Sequence, residues 1–149
     1  MATASATLRL CVAADKVWHL VGGFLLLPDW LPFITGSEVG EGGRLRKLTT
    51  QDGASITERL ETFDHHGRIY TYSITEGPFP VTDYLATLQV AAINESETEV
   101  TWSGRFTANG VSDDEAHALF QGVYERGLAA LKAHFQKAYA GGATLSSGH

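Results

Sequence analysis

Between residues 54 and 109 the chain alternates with a period of two, and its apolar side chains fall on even numbers: Ile56 and Leu60, then Tyr70, Tyr72 and Ile74, then Tyr84, Leu88 and Val90, then Val100, Trp102 and Phe106. Odd positions such as Glu61, Thr71, Gln89, Glu99 and Arg105 are mostly polar. A period of two sends successive side chains to opposite faces of a strand, so this stretch predicts strands with one buried face. Polar turns at residues 64–67, 76–80 and 94–97 divide it into four consecutive strands of an antiparallel meander. Upstream, Leu8, Leu10 and Val12 alternate with Thr7, Arg9 and Cys11 as a first strand. Asp15 is then expected to cap an amphipathic helix through Val17, Trp18, Val21 and Phe24. Residues 28–33 read as a second short helical turn, the glycines at 36, 40, 42 and 43 punctuate short strands or bulges, and residues 44–50 form a strand with poor alternation. Downstream, Ser112 and Glu115 have the spacing of a capping box. They open a long helix whose apolar stripe runs through Leu119, Phe120, Val123, Tyr124, Leu128, Leu131 and Phe135.

That element order defines an α+β fold in one domain over residues 1–140, with a Gly/Ser-rich segment, 141–149, expected to be a flexible tail. The 149 residues carry a net charge of −6, and the eleven Lys and Arg are scattered, so no basic stripe exists to neutralise phosphates. A nucleic-acid partner is not expected. The apolar stretch at residues 22–33 is too short and Pro-broken to span a bilayer, so no membrane insertion is expected either. The single cysteine, Cys11, excludes an intrachain disulfide and fits a reducing cytoplasm. A homodimer is compatible with all of this.

Glu58 is the residue that breaks the pattern. Alternation places its carboxylate between Ile56 and Leu60 on the buried face, where an ionised group costs several kcal/mol, as an order of magnitude, unless it is partnered, protonated or wet. A cavity behind that face accounts for it. Tyr70, Tyr72 and Tyr84 share the face on neighbouring strands, so a carboxylate with a raised pKa meets phenol hydroxyls, an arrangement suited to proton transfer. The blander readings are a carboxylate bonded to a Tyr or Arg, and tyrosines that merely pack. Trp30, Phe33, Trp102, Phe106, Leu119 and Val123 are expected to shape the cavity, with Gly104 and Gly127 leaving space opposite one another. His65 and His66 sit in a polar turn with no further ligands at suitable spacing, so no metal is expected. The Gly-rich residues 40–43 lack the Lys-Ser/Thr of a phosphate loop.

A strand, two short helices, six further antiparallel strands and a long C-terminal helix describe a curved sheet wrapped around a helix. The residues DKVWHLVGGF, ITERLETFDHHGRIYTYSITEG, GPFPVTDY and YERGLAAL, within roughly residues 6–138, resemble the START and birch-pollen-allergen (SRPBCC) superfamily. The resemblance is to the branch of polyketide cyclase/dehydrase-like proteins and abscisic-acid receptors. It implies a helix-grip fold with a curved seven-stranded antiparallel sheet and a deep cavity between sheet and C-terminal helix. Residues 49–54 and 77–81 would be mobile loops at its mouth. The receptor gate and latch motifs are absent, and the receptors' carboxylate-binding lysine falls near Leu31, which speaks against abscisic acid. The catalytic glutamate of norcoclaurine synthases coincides with Glu58, but their lysine falls on Tyr70 and their aspartate on Ala86. The implied ligand is a small hydrophobic molecule, aromatic or polyketide-like, held by the cavity residues above together with Ile74, Phe79, Leu88, Phe120 and Tyr124. Two functions fit: cofactor-free cyclisation, dehydration or isomerisation by Glu58 with a tyrosine partner, or carriage without turnover.

Overall fold

The computed structural model describes residues 1–23, 27–31 and 33–143. In chain order it has strand β1 (Ala2–Leu10), helix α1 (Ala14–Val21), the single turn α2 (Leu27–Trp30), then strands β2 (Ile34–Gly40), β3 (Leu45–Thr50), β4 (Ser55–Asp64), β5 (Ile69–Glu76), β6 (Val81–Ala92) and β7 (Thr98–Ala108), and finally helix α3 (Asp113–Ala143). The strands make one antiparallel seven-stranded sheet in the order β1-β7-β6-β5-β4-β3-β2, a meander whose last strand pairs with the first. The long helix lies against the sheet, which is the helix-grip arrangement anticipated from the element order.

The even-numbered face is the core. Tyr70, Tyr72, Leu88, Val90, Val100, Trp102 and Phe106 are buried, and Ala116, Phe120, Tyr124, Leu128 and Leu131 of α3 pack onto them. Each fully buried side chain of this size contributes roughly 1.5–3 kcal/mol relative to exposure. The capping box at the start of α3 is formed: the Ser112 hydroxyl accepts from the Glu115 N–H at 3.1 Å, and the Glu115 carboxylate accepts from the Ser112 N–H at 3.2 Å. This satisfies two backbone donors reciprocally.

Helix α3 also closes the outer edge of β1. Backbone groups on an edge strand lack a ladder partner. Here the Gln121 side-chain amide takes the place of a strand, accepting from the Ser5 N–H at 3.0 Å and donating to the Ser5 carbonyl at 2.8 Å. One turn earlier, His117 Nδ1 lies 2.6 Å from the Thr3 carbonyl oxygen, to which it donates.

Several local expectations change. Strand β1 begins at Ala2, because the small residues Ala2 and Ala4 alternate inward against β7, and Val12 lies beyond the strand with its carbonyl accepting from the Thr98 hydroxyl at 2.6 Å. Asp15 does not cap α1. The cap position is Ala13, without a side-chain bond, and Asp15 sits in the first turn, where its carboxylate takes the Arg68 guanidinium at 2.7 Å. That ion pair ties α1 to the β4–β5 hairpin, as does the Trp18 indole N–H donating to His65 Nδ1 at 3.0 Å. Phe24 lies outside the described residues. Helix α3 runs through residues 141–143, three positions into the segment expected to be a tail; the remainder of that segment lies outside the described residues.

Candidate functional site

Between the sheet, α2 and α3 lies a cavity of about 450 Å³. Its sheet side is built by Arg46 and Leu48 of β3, Ile56 and Glu58 of β4, and Tyr72 and Ile74 of β5, all at even positions. Phe120, Val123 and Arg126 close it from α3, and Leu27, Leu31, Phe33 and Ile34 from the segment around α2. Thr50 and Gln51, at the end of β3, and Phe79, before β6, stand where the two loop segments were expected to form the mouth. The turn after β3 is knitted by its own bonds: Thr50 N–H to the Ala54 carbonyl and Gly53 N–H to the Thr50 carbonyl, both 3.0 Å. Asp52, bonded by the Thr50 hydroxyl and the Ala54 N–H, is held below the usual carboxylate range.

Glu58 is buried, with 7% of its surface exposed, and Arg46 faces it with 1%. Two bonds join them, Arg46 Nε to Glu58 Oε1 at 2.8 Å and Nη2 to the same oxygen at 2.6 Å. Neither bond goes to Oε2. Alternation puts Glu58 there, in regular register with Arg46 on β3, while a bulge toward β5 between Thr57 and Glu58 accompanies the burial of Thr57 as well, so Ile56, Thr57 and Glu58 are buried in succession. Arg46 also stacks over the Tyr72 ring at 5.1 Å from its centroid, and burial raises the Tyr70 phenol while the Arg46 charge partly offsets that rise.

The electrostatics follow from burial. Desolvation pushes the Glu58 carboxyl above its ordinary 4.5, and Arg46 pulls it only part of the way back. Burial likewise opposes the Arg46 charge, but Glu58 and the Tyr70 and Tyr72 phenols outweigh it and hold the guanidinium protonated above its usual value. Desolvation raises the Tyr72 and Tyr84 phenols well above 10.0, so both are donors at neutral pH. The Tyr84 hydroxyl is engaged with that of Tyr124 at 2.5 Å. The Tyr72 hydroxyl accepts from the Trp102 indole N–H at 3.0 Å, which leaves its own proton for an acceptor in the cavity.

Of the expected residues, Glu58, Tyr72, Tyr84, Phe33, Ile74, Phe79, Trp102, Phe120 and Val123 line the cavity. Tyr70 does not; it stands behind Arg46, packed against Trp18 and Phe63. Leu88 and Phe106 are core residues off the cavity, Leu119 is half-buried, and Tyr124 contributes through its bond to Tyr84. Trp30 packs on Trp102 at 5.9 Å between ring centroids, with its indole N–H buried and without a partner among the described residues. The two glycines do not leave space. A Cβ on Gly104 would collide with the Tyr124 hydroxyl, and one on Gly127 with the Trp102 ring, so each glycine is the seat of an aromatic side chain from the opposite layer.

Arg46 and Arg126 were missed. The parity rule reaches Arg46, since it shares the even face with Leu48, but the run LRKLTT is too polar for alternation to show. Arg126 follows Val123 by three residues on the inward side of α3, a spacing that carries the signal.

A family profile described as "polyketide cyclase / dehydrase and lipid transport" matches residues 1–136. No curated protein matches this sequence. Among solved structures, the protein XoxI from Bacillus cereus is 47% identical, with a TM-score of 0.90 over 93% of this chain and 99% of that one. An uncharacterised protein from Bacillus thuringiensis is also 47% identical, with a TM-score of 0.89 over 91% and 99% of the two chains. The Zhui aromatase/cyclase from Streptomyces sp. R1128 shares the fold at 21% identity, with a TM-score of 0.73 over 92% and 93%. With its helix-grip architecture, its cavity under the sheet and a profile spanning nearly the whole chain, this protein belongs to the polyketide cyclase/dehydrase and lipid transport family.

Proposed function

We propose that the protein binds a small hydrophobic molecule, aromatic or polyketide-like, in the cavity between sheet and α3, and performs cofactor-free acid/base chemistry on it. The observation that carries this reading is the buried Glu58 carboxylate on the cavity wall, whose two Arg46 bonds both go to Oε1 and neither to Oε2. A ligand O–H or an acidic C–H would meet it. In an enolisation, Oε2 takes the proton alpha to a ketone, the C–H electron pair becomes the C=C bond, and the carbonyl pair moves onto oxygen. The Tyr72 O–H is the donor available to that oxygen, because Trp102 already occupies its acceptor side. Return of the proton to another carbon gives isomerisation, and attack of the enolate on a second carbonyl gives ring closure. Family membership and the fold shared with an aromatase/cyclase support the substrate class.

Carriage without turnover is the second reading, favoured by the same ion pair, since a Glu58 held by Arg46 also serves simply to hydrate and orient a guest. One experiment separates the two. 2-Tetralone in deuterated buffer is followed by proton NMR with wild type and Glu58→Gln. Accelerated exchange of the alpha protons in wild type, lost in the variant, supports chemistry. Saturable binding of the ketone with no acceleration in either protein leaves carriage.

A further inference from the structure

Among the described residues, the charged groups lining the cavity are two cations, Arg46 and Arg126, against one carboxylate, Glu58. Arg46 and Glu58 neutralise each other at 2.6 Å. Arg126 is left, and it makes no ion pair or hydrogen bond with any described residue. The described lining of the cavity therefore carries a surplus positive charge, in a protein whose net charge is −6.

The helix makes room for this side chain. Gly122 lies one turn before Arg126, and a Cβ there would come within 2.8 Å of Arg126 Nη1, so the missing side chain lets the guanidinium lie back along its own helix. A glycine in a helix interior costs about 1 kcal/mol relative to alanine. Here it clears the space that the guanidinium occupies. Unlike Arg46, Arg126 is exposed, and so it stands where the cavity meets solvent. A guanidinium at the mouth of an apolar chamber suits a planar anionic oxygen group.

We propose that the ligand is an organic acid: an apolar body inside the cavity, its carboxylate or equivalent singly charged group paired with Arg126 at the mouth, and a carbonyl or hydroxyl at the inner end facing Glu58 Oε2 and the Tyr72 hydroxyl. This assignment rests on the hydrophobic-cavity reading above and fixes the direction in which a guest lies. It also excludes from the best ligands any cationic amphiphile, which would place like charge against Arg126.

The test uses two fluorescent probes with one anilinonaphthalene body, 1-anilinonaphthalene-8-sulfonate and its neutral counterpart N-phenyl-1-naphthylamine. Arg126→Gln is expected to weaken the sulfonate probe by about tenfold, the scale of one charge-assisted bond at an exposed site, while the neutral probe stays within about twofold. Arg126→Lys should recover part of the loss, and cavity-filling Ile74→Trp should abolish both. Equal weakening of both probes by Arg126→Gln overturns the proposal, as does an unchanged sulfonate affinity or sulfonate binding that survives Ile74→Trp. Should neither probe bind wild type, the hydrophobic-cavity reading itself falls and takes the proposal with it.

Discussion

Arg46 stands directly opposite Glu58 across the β3–β4 ladder, so the ion pair on the cavity wall is a cross-strand pair between neighbouring strands. Replacing either partner by leucine strands the other in a buried site, at a cost of about 3–5 kcal/mol. The two losses are unequal: the carboxyl can take up a proton, whereas the guanidinium cannot lose one. Urea unfolding at neutral pH should show Glu58→Leu less stable than Arg46→Leu, with the double leucine variant within about 1 kcal/mol of wild type or above it. Additive single effects would show that the two side chains are not coupled.

Glu58 also makes stability depend on pH. Its folded pKa lies above the ordinary 4.5, so folding favours the protonated acid. That contribution is complete below 4.5 and is lost as pH rises through the folded value. Compared with Glu58→Gln, wild type should lose stability on going from pH 4 towards neutrality, with a slope of at most about 1.4 kcal/mol per pH unit. A constant difference between the two proteins across that range would contradict the assignment.

Four of the five tyrosines, Tyr70, Tyr72, Tyr84 and Tyr124, are raised above 10.0, chiefly by desolvation. In the native protein these phenols should stay protonated when free tyrosine ionises, and the absorbance change of the phenolate, at about 295 nm, should appear together with unfolding. Because each folded value exceeds the unfolded one, their contribution is full below about 10 and disappears at higher pH. Reversible ionisation of all five before any loss of tertiary signal would refute this.

Gly104→Ala and Gly127→Ala should each destabilise by about 1–3 kcal/mol, since the added methyl meets the Tyr124 hydroxyl or the Trp102 ring in a packed layer. Neither glycine has a positive φ, so the penalty is one of packing and not of backbone strain. Thermal melts test it. Gly104→Ala combined with Tyr124→Phe should recover part of the loss, because the hydroxyl that collides is then gone.

The sheet was legible because a half-buried strand writes its orientation into every second residue, and Tyr70, Tyr72, Leu88 and Trp102 obey that rule without exception. Glu58 was legible for the same reason, as a charge on an apolar face. Its partner was not: β3 carries Arg46 beside Lys47, and sequence alone does not tell a snorkelling cation from a buried one. The cavity wall was only partly readable, since Leu88 and Phe106 share the even face with Tyr72 and Tyr84 yet lie where α3 packs tightly. Facing inward and facing an empty space are the same signal along one strand. The difference lies in how close the helix comes, and Gly104 and Gly127 show this, having been read as gaps when they are contact points.

The buried pair constrains how this protein can change over time. With a total stability of roughly 5–15 kcal/mol for a domain of this kind, a descendant that discards the acid first passes through a form that has lost a large share of its margin. One that discards the base first retains a neutral acid and survives more readily. Lineages drifting toward an oilier chamber should therefore keep a lone glutamate as the relic, and a lone arginine at position 46 should be the rarer intermediate.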